Sequence, residues 1–163
     1  MTRPRGDGIA LSRLAELGLQ LPQVPTPAGS YRPYARIGGS VMTAGQLPLW
    51  EGRLARTGKL GADVDLDDGI ELARIAGLNV LAVLAAASGD LDQVVIVKVN
   101  VYVASAPTFT DQHLVANGAS DLFASVLGDQ GVHARAAVGV ASLPMDSPVE
   151  VDVVAEISAA WSD

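Results

Sequence analysis

The stretch that most constrains the fold of this 163-residue chain is its last third, Gly131 to Ile157. It reads as two short strands of alternating small and branched residues, Ala134 to Ala141 and Val149 to Ile157, separated by a proline-bounded turn from Leu143 to Pro148. Side chains alternate between the two faces of a strand. Ala134, Ala136, Val138 and Val140 therefore share one face of the first strand, and Arg135, Ala137 and Gly139 the other. In the second, Val149, Val151, Val153, Ala155 and Ile157 oppose Glu150, Asp152, Val154 and Glu156. With the valine faces turned to the core, Arg135 and Glu150 are expected to project from the same outer face. Ala137 and Gly139 leave open space beside Arg135, where a planar guanidinium can hold a carboxylate through two parallel hydrogen bonds. The same arginine also suits a structural role, pairing with Glu150 or with a helix end to anchor an edge strand.

The preceding segments supply the rest of a sheet and its cover. Gly8 to Leu19 reads as a short amphipathic helix with Leu11, Leu14 and Ala15 on one face, and Leu21 to Ser30, with three prolines, as an extended connector. Tyr34 to Ile37 and Ser40 to Ala44 form a hairpin across Gly38-Gly39. The chain then leaves the sheet through Gly45-Gln46-Leu47-Pro48, with Trp50 close behind. A helix is expected from about Asp68 to Ala87, burying Ile70, Ala73, Gly77, Val80, Leu81 and Leu84 and ended by Gly89. Val94 to Val103 is the central strand, with an unbroken row of Val95, Val97, Val99, Val101 and Val103 on its inner face and Lys98, Asn100 and Tyr102 on the other. A second helix is expected from Phe109 to Leu127, capped by Thr108 with Asp111 three residues on. Its inner stripe is Val115, Ala119, Leu122, Phe123 and Val126.

Hairpin, helix, strand, helix and hairpin in that order define an α+β domain: a mixed sheet with two helices on one face. We place this domain at residues 31–163, after a leader of residues 1–30 holding the short helix and the connector. The uncovered, mixed face of the sheet suits a subunit interface or an internal cavity.

Composition narrows the function classes. Hydrophobic residues make up 49% of the chain and aromatics only 4%, so apolar surface beyond one small core is expected to be covered by oligomerisation. There is no cysteine, which excludes disulfides, thiolate nucleophiles and cysteine-ligated metals. A net charge of -7, with basic residues gathered only at Arg3/Arg5 and Arg53/Arg56/Lys59, argues against nucleic-acid partners. The N-terminus lacks the apolar run of a signal peptide, and the richest apolar stretch, Leu78 to Ala87, is shorter than the roughly 20 residues of a membrane span. A cytoplasmic protein with no membrane partner is expected. Asp63, Asp65 and Asp67 have the spacing of a calcium loop, but Asp68 stands where that loop needs glycine and Arg74 where it needs glutamate. Asp67 and Asp68 are instead read as capping and charging the start of the following helix, and no metal is expected.

Several motifs together carry a resemblance. Ala134-Arg135 is followed by Val138, then Ala141-x-Leu143-Pro144, then Val149-Glu150-Val151 and Ala155; upstream stand Thr43-Ala44-Gly45-Gln46-Leu47-Pro48 and the strand Val97 to Val103. From about Tyr31 to Ile157 the chain resembles the RidA/YjgF family, small homotrimeric proteins of chorismate mutase-like fold that include enamine and imine deaminases.

The resemblance implies a cofactor-free site at a subunit interface that hydrolyses 2-imino or enamine acids to 2-keto acids and ammonia. By it, Arg135 holds the substrate carboxylate and Glu150 orients or activates water. Gly45 lies at the interface cleft, where backbone N–H groups face the carboxylate. Tyr31 matches the family's tyrosine without a gap back from Gly45, with Tyr34 as competitor; Asn117 matches its asparagine if one residue is inserted before Arg135. Trp50 and Ala137 are possible pocket walls. Ala44, Ala137 and Gly139 replace polar residues common in the family, so the resemblance is to a side branch with a roomier, less polar site. A non-catalytic, trimeric carboxylate-binding module is the alternative, and endoribonuclease activity ranks last. His133, two residues before Arg135, is read as a surface histidine.

Overall fold

The computed structural model describes residues 8–158. In chain order these form α1 (Ile9–Glu16), β1 (Tyr34–Ile37), β2 (Ser40–Thr43), β3 (Leu49–Trp50), β4 (Arg53–Leu54), α2 (Leu66–Ser88), β5 (Val94–Ala104), α3 (Gln112–Val115), α4 (Asn117–Leu127), β6 (Ala134–Val140) and β7 (Val149–Ile157). Five strands make one mixed sheet in the order β1-β2-β7-β5-β6, in which only β5 and β6 run parallel. A parallel pair cannot be joined by a tight turn, and here α3 and α4 form the crossover. With α2 they cover one face of the sheet, as the hydrophobic pattern leads one to expect.

The core lies between that face and the helices. Phe123 and Val126 of α4, Leu81 and Leu84 of α2, and Val99, Val101, Val151 and Val153 of the central strands are fully or almost fully buried. Each such side chain contributes about 1.5–3 kcal/mol of transfer free energy. The cap of α2 is Asp65, accepting from Asp68 N at 2.9 Å, and not the expected Asp67 or Asp68, which sit in the first turn because the helix starts two residues earlier; Gly89 ends it in the left-handed region at φ 76°. The helix is long and apolar enough to cross a membrane by composition, but 67% of its most apolar window is buried in this chain's own core. Gly118 lets α4 approach α2: a Cβ there would overlap the carbonyl oxygen of Ile70.

Four further expectations need correction. The row of inward valines on β5 is broken, because a bulge between Ile96 and Lys98 shifts the pairing with β7; Val94 and Ile96 point inward before it, and Val97 is 50% exposed. The second helix starts at Gln112 with no side-chain cap and divides at Ala116 into α3 and α4. On α1 the buried residues are Ala10 and Leu14, while Leu11 and Ala15 face outward, because the carboxylate of Asp92 receives the backbone N–H of Ile9 and Ala10 (both 2.8 Å) and sets how the helix docks. The fourth concerns β6. Residues paired across neighbouring strands share a face, and Arg135 pairs with Val99, Ala137 with Val101 and Gly139 with Val103, all three valines lying under the helices. Arg135, Ala137 and Gly139 therefore face the helices, and Ala134, Ala136, Val138 and Val140 the open side.

A small second hairpin, β3–β4, had no counterpart in the sequence reading. Its turn, Glu51-Gly52, has both residues at positive φ (50° and 77°), and Asn79 of α2 holds it by donating to the carbonyls of Leu47 (3.1 Å) and Leu49 (2.9 Å).

Candidate active site

Arg135 leaves β6 toward α3 and α4. Its Nη1 donates to Asn117 Oδ1 (2.9 Å) and Ser120 Oγ (3.0 Å), and its Nη2 to the His113 carbonyl (2.9 Å). Asn117 and Ser120 are three residues apart and so share one face of α4. Among the described residues, these contacts engage three of the five N–H groups that a guanidinium carries. The Nε hydrogen and one on Nη2 have no partner among the described residues. Ala137, half-buried, follows on the same face.

Glu150 stands on the other side of the sheet. It pairs with Tyr102 on β5, while Asp152, next along the same face, pairs with Asn100. The Glu150 carboxylate rests against the bare Cα of Gly45, where a Cβ would overlap its Oε1. Gly45 is held there because the backbone of the next residue, Gln46, exchanges two hydrogen bonds with Val151 (2.8 and 2.9 Å). Asn100 Nδ2 donates to Asp152 Oδ1 at 2.8 Å. Burial, and then the negative charge of Asp152, push the Glu150 carboxyl above the usual carboxylate range. The Tyr102 phenol is likewise raised, by burial and then by Asp152 and Glu150.

Arg135 and Glu150 therefore form two separate half-sites within one chain. They are three residue registers and two strand spacings apart, roughly 14 Å between Cα atoms from strand geometry alone, and they point to opposite faces. The expectation that they project from the same face is overturned because β6 pairs with β5 in the register that turns Arg135 inward.

The remaining candidates separate in the same way. Gly45 joins Glu150, and Asn117 joins Arg135. Tyr31 is 53% exposed in the approach to β1, its hydroxyl accepting from Ala28 N at 3.3 Å, whereas Tyr34 packs on the core. Trp50 lies on β3–β4 and walls a groove of about 480 Å3 shared with Leu21, Pro22, Val24 and Pro25 of the connector, which neither Arg135 nor Glu150 lines. His133 is half-buried rather than a surface residue: its ring packs edge-on against Phe123 with centroids 5.9 Å apart, and its Nε2 lies 2.9 Å from Ser120 Oγ. Sequence reasoning missed Ser120, although its spacing of three from Asn117 on one helix was a usable signal.

Among the described residues no group of three or more His, Asp or Glu could hold a metal ion. Three of the four aspartates of the 61–69 loop are tied up structurally: Asp63 accepts from Lys59 N at 3.1 Å, Asp65 caps α2, and Asp68 pairs with Arg56, while Asp67 is exposed in the first turn of α2. Arg3 and Arg5 lie outside the described residues.

The fold and these half-sites define a class: a small α+β protein with one sheet face under helices, an arginine held beneath them and a carboxylate cluster on the open face. The family model described as YjgF/chorismate mutase-like, putative endoribonuclease matches residues 11–157. The chain belongs to this family, the RidA/YjgF proteins. It is 45% identical over 153 residues to Protein TCP17 of Trypanosoma cruzi, covering 93% of this chain and 96% of that one. The structure is similar to that of Atu1372 from Agrobacterium tumefaciens (TM-score 0.86, 45% identity, 92% and 93% of the two chains). It is also similar to E. coli TdcF with bound serine (TM-score 0.62, 25% identity, 83% and 94%). The match to the family begins inside α1.

Proposed function

We propose that the protein is a cofactor-independent imine/enamine deaminase, a homotrimer that hydrolyses 2-imino or enamine acids to 2-keto acids and ammonia between its subunits. The observation that carries this reading is Arg135, fixed by three hydrogen bonds with an Nε and an Nη2 hydrogen unengaged, the number a carboxylate takes in a bidentate pair. Because Arg135 and Glu150 leave opposite faces, a site using both draws Arg135, Asn117 and Ala137 from one subunit and Glu150 with Gly45 from its neighbour. The bound serine of TdcF has a carboxylate next to a nitrogen-bearing carbon, as a 2-imino acid does.

In this mechanism Arg135 holds the carboxylate and so fixes the imine carbon. Glu150 takes a proton from water as the water oxygen bonds to that carbon, and passes it to the imine nitrogen to give a carbinolamine. Glu150 then takes the hydroxyl proton as the C=O forms and delivers it to the departing nitrogen, the C–N bond breaks, and keto acid and ammonia leave. Burial and the charge of Asp152 raise the Glu150 carboxyl and so make its carboxylate a stronger base toward water than an ordinary one.

The test is release of keto acid and ammonia from 2-iminobutyrate and 2-aminoacrylate, generated in place by an amino-acid dehydratase. Wild type is expected to exceed the spontaneous rate, and Arg135→Ala to lose roughly a hundredfold or more in kcat/KM. If wild type does not exceed the spontaneous rate but still binds a keto acid that Arg135→Ala does not, the protein is a carboxylate-binding module. Endoribonuclease activity is opposed by the charge of -7 and the acidic open face, which repel a phosphate backbone.

A further inference from the structure

Behind Arg135 runs a hydrogen-bonded chain whose direction is set by chemistry. Arginine only donates, so Ser120 Oγ accepts from Nη1 at 3.0 Å. The Gly131 carbonyl only accepts, so His133 Nδ1, 2.6 Å from it, carries a proton. In the neutral imidazole Nε2 then carries the lone pair, and the single hydroxyl hydrogen of Ser120 is directed to it at 2.9 Å. The far end of the chain is rigid: the His133 ring sits edge-on (74°) against the fully buried Phe123, and Gly131 is packed so closely on the Phe123 carbonyl that a Cβ there would overlap it.

We infer that Ser120 and His133 are positioning residues of the carboxylate site, transmitting the rigidity of the core at Phe123 to the guanidinium of Arg135. Asn117 and Ser120 clamp Nη1 from two sides, and His133 fixes which way the Ser120 hydroxyl points, so its oxygen is always offered to Nη1. An arginine ordered before the ligand arrives loses less side-chain freedom on binding, and that gain appears in substrate affinity. The inference rests on Arg135 being the carboxylate holder.

Ser120→Ala removes the clamp, Ser120→Thr keeps the oxygen, and His133→Phe keeps a ring against Phe123 but removes Nε2. Steady-state kinetics with 2-iminobutyrate and calorimetric binding of 2-oxobutyrate are read together. Ser120→Ala is expected to raise KM and the 2-oxobutyrate Kd by about tenfold, with kcat changed by about twofold or less. His133→Phe moves the same two constants by a smaller factor, and Ser120→Thr restores them. Unchanged KM and Kd in both Ser120→Ala and His133→Phe, with wild type active, overturn the inference and leave the deaminase reading standing. Equal losses in kcat and affinity that follow a fall in Tm, and that Ser120→Thr does not rescue, overturn it as mere structural support. A wild type that neither turns over nor binds overturns both proposals.

Discussion

Glu150 keeps its carboxylate against the bare Cα of Gly45, so the smallest side chain at residue 45 must displace it. Gly45→Ala is therefore expected to fold but to lose most of its deaminase activity, checked by circular dichroism beside the keto-acid assay. Glu150 itself works against stability at neutral pH. Its folded-state carboxyl is raised by burial and by Asp152, so folding favours the protonated form. Any stabilisation from that proton is complete below the unfolded carboxylate range and is lost as pH rises through the folded value. Glu150→Gln removes the buried charge, and its Tm is expected to exceed that of wild type at pH 7–8, with the gain shrinking toward pH 4 while activity stays lost. A gain that persists at low pH would mean the charge is not its source.

At the scale of elements, α2 and α4 meet where Gly118 has no side chain, and the atoms a Cβ would meet are the backbone of Ile70 and Arg74, which cannot rotate away. Gly118→Ala is expected to cost about 1–3 kcal/mol, read as a lower denaturant midpoint with an unchanged slope. The long elements were legible in sequence because their periods are strong: α2 and the β1–β2 hairpin were found within two residues of their ends. The facing of β6 was not. Its seven residues, ARAAVGV, put both valines on one face, which proves to be the open one, and only the parallel pairing with β5 decides the facing. The Val97 bulge was hidden for a related reason, since valine or isoleucine stands at each of positions 94–97 and a slip by one still reads as an apolar row. Arg135 and Glu150 were singled out by strand alternation and given their roles by motif resemblance, through which Gly45 and Asn117 were also reached. Ser120 and His133 belonged to no motif, and their link across 13 positions exists only once α4 and β6 are folded together.

For the whole molecule, the arrangement of the two half-sites sets what an assembly must do. The open face carries Glu150, Asp152, Asn100 and Tyr102 together with exposed apolar residues such as Met42 (39%) and Val138 (46%), a mixture suited to covering by a second copy. Sedimentation or sizing is expected to give a trimer, and a monomer would leave the two half-sites apart. The most direct test of the account is to co-express Arg135→Ala and Glu150→Ala and assay the mixed assembly on 2-iminobutyrate. Each variant alone is expected to be inactive, while random mixing in a cyclic trimer rebuilds about a quarter of the sites with both native residues. Activity near that fraction supports a site shared between subunits. Mixed assemblies as inactive as the single variants, with wild type active, would contradict it.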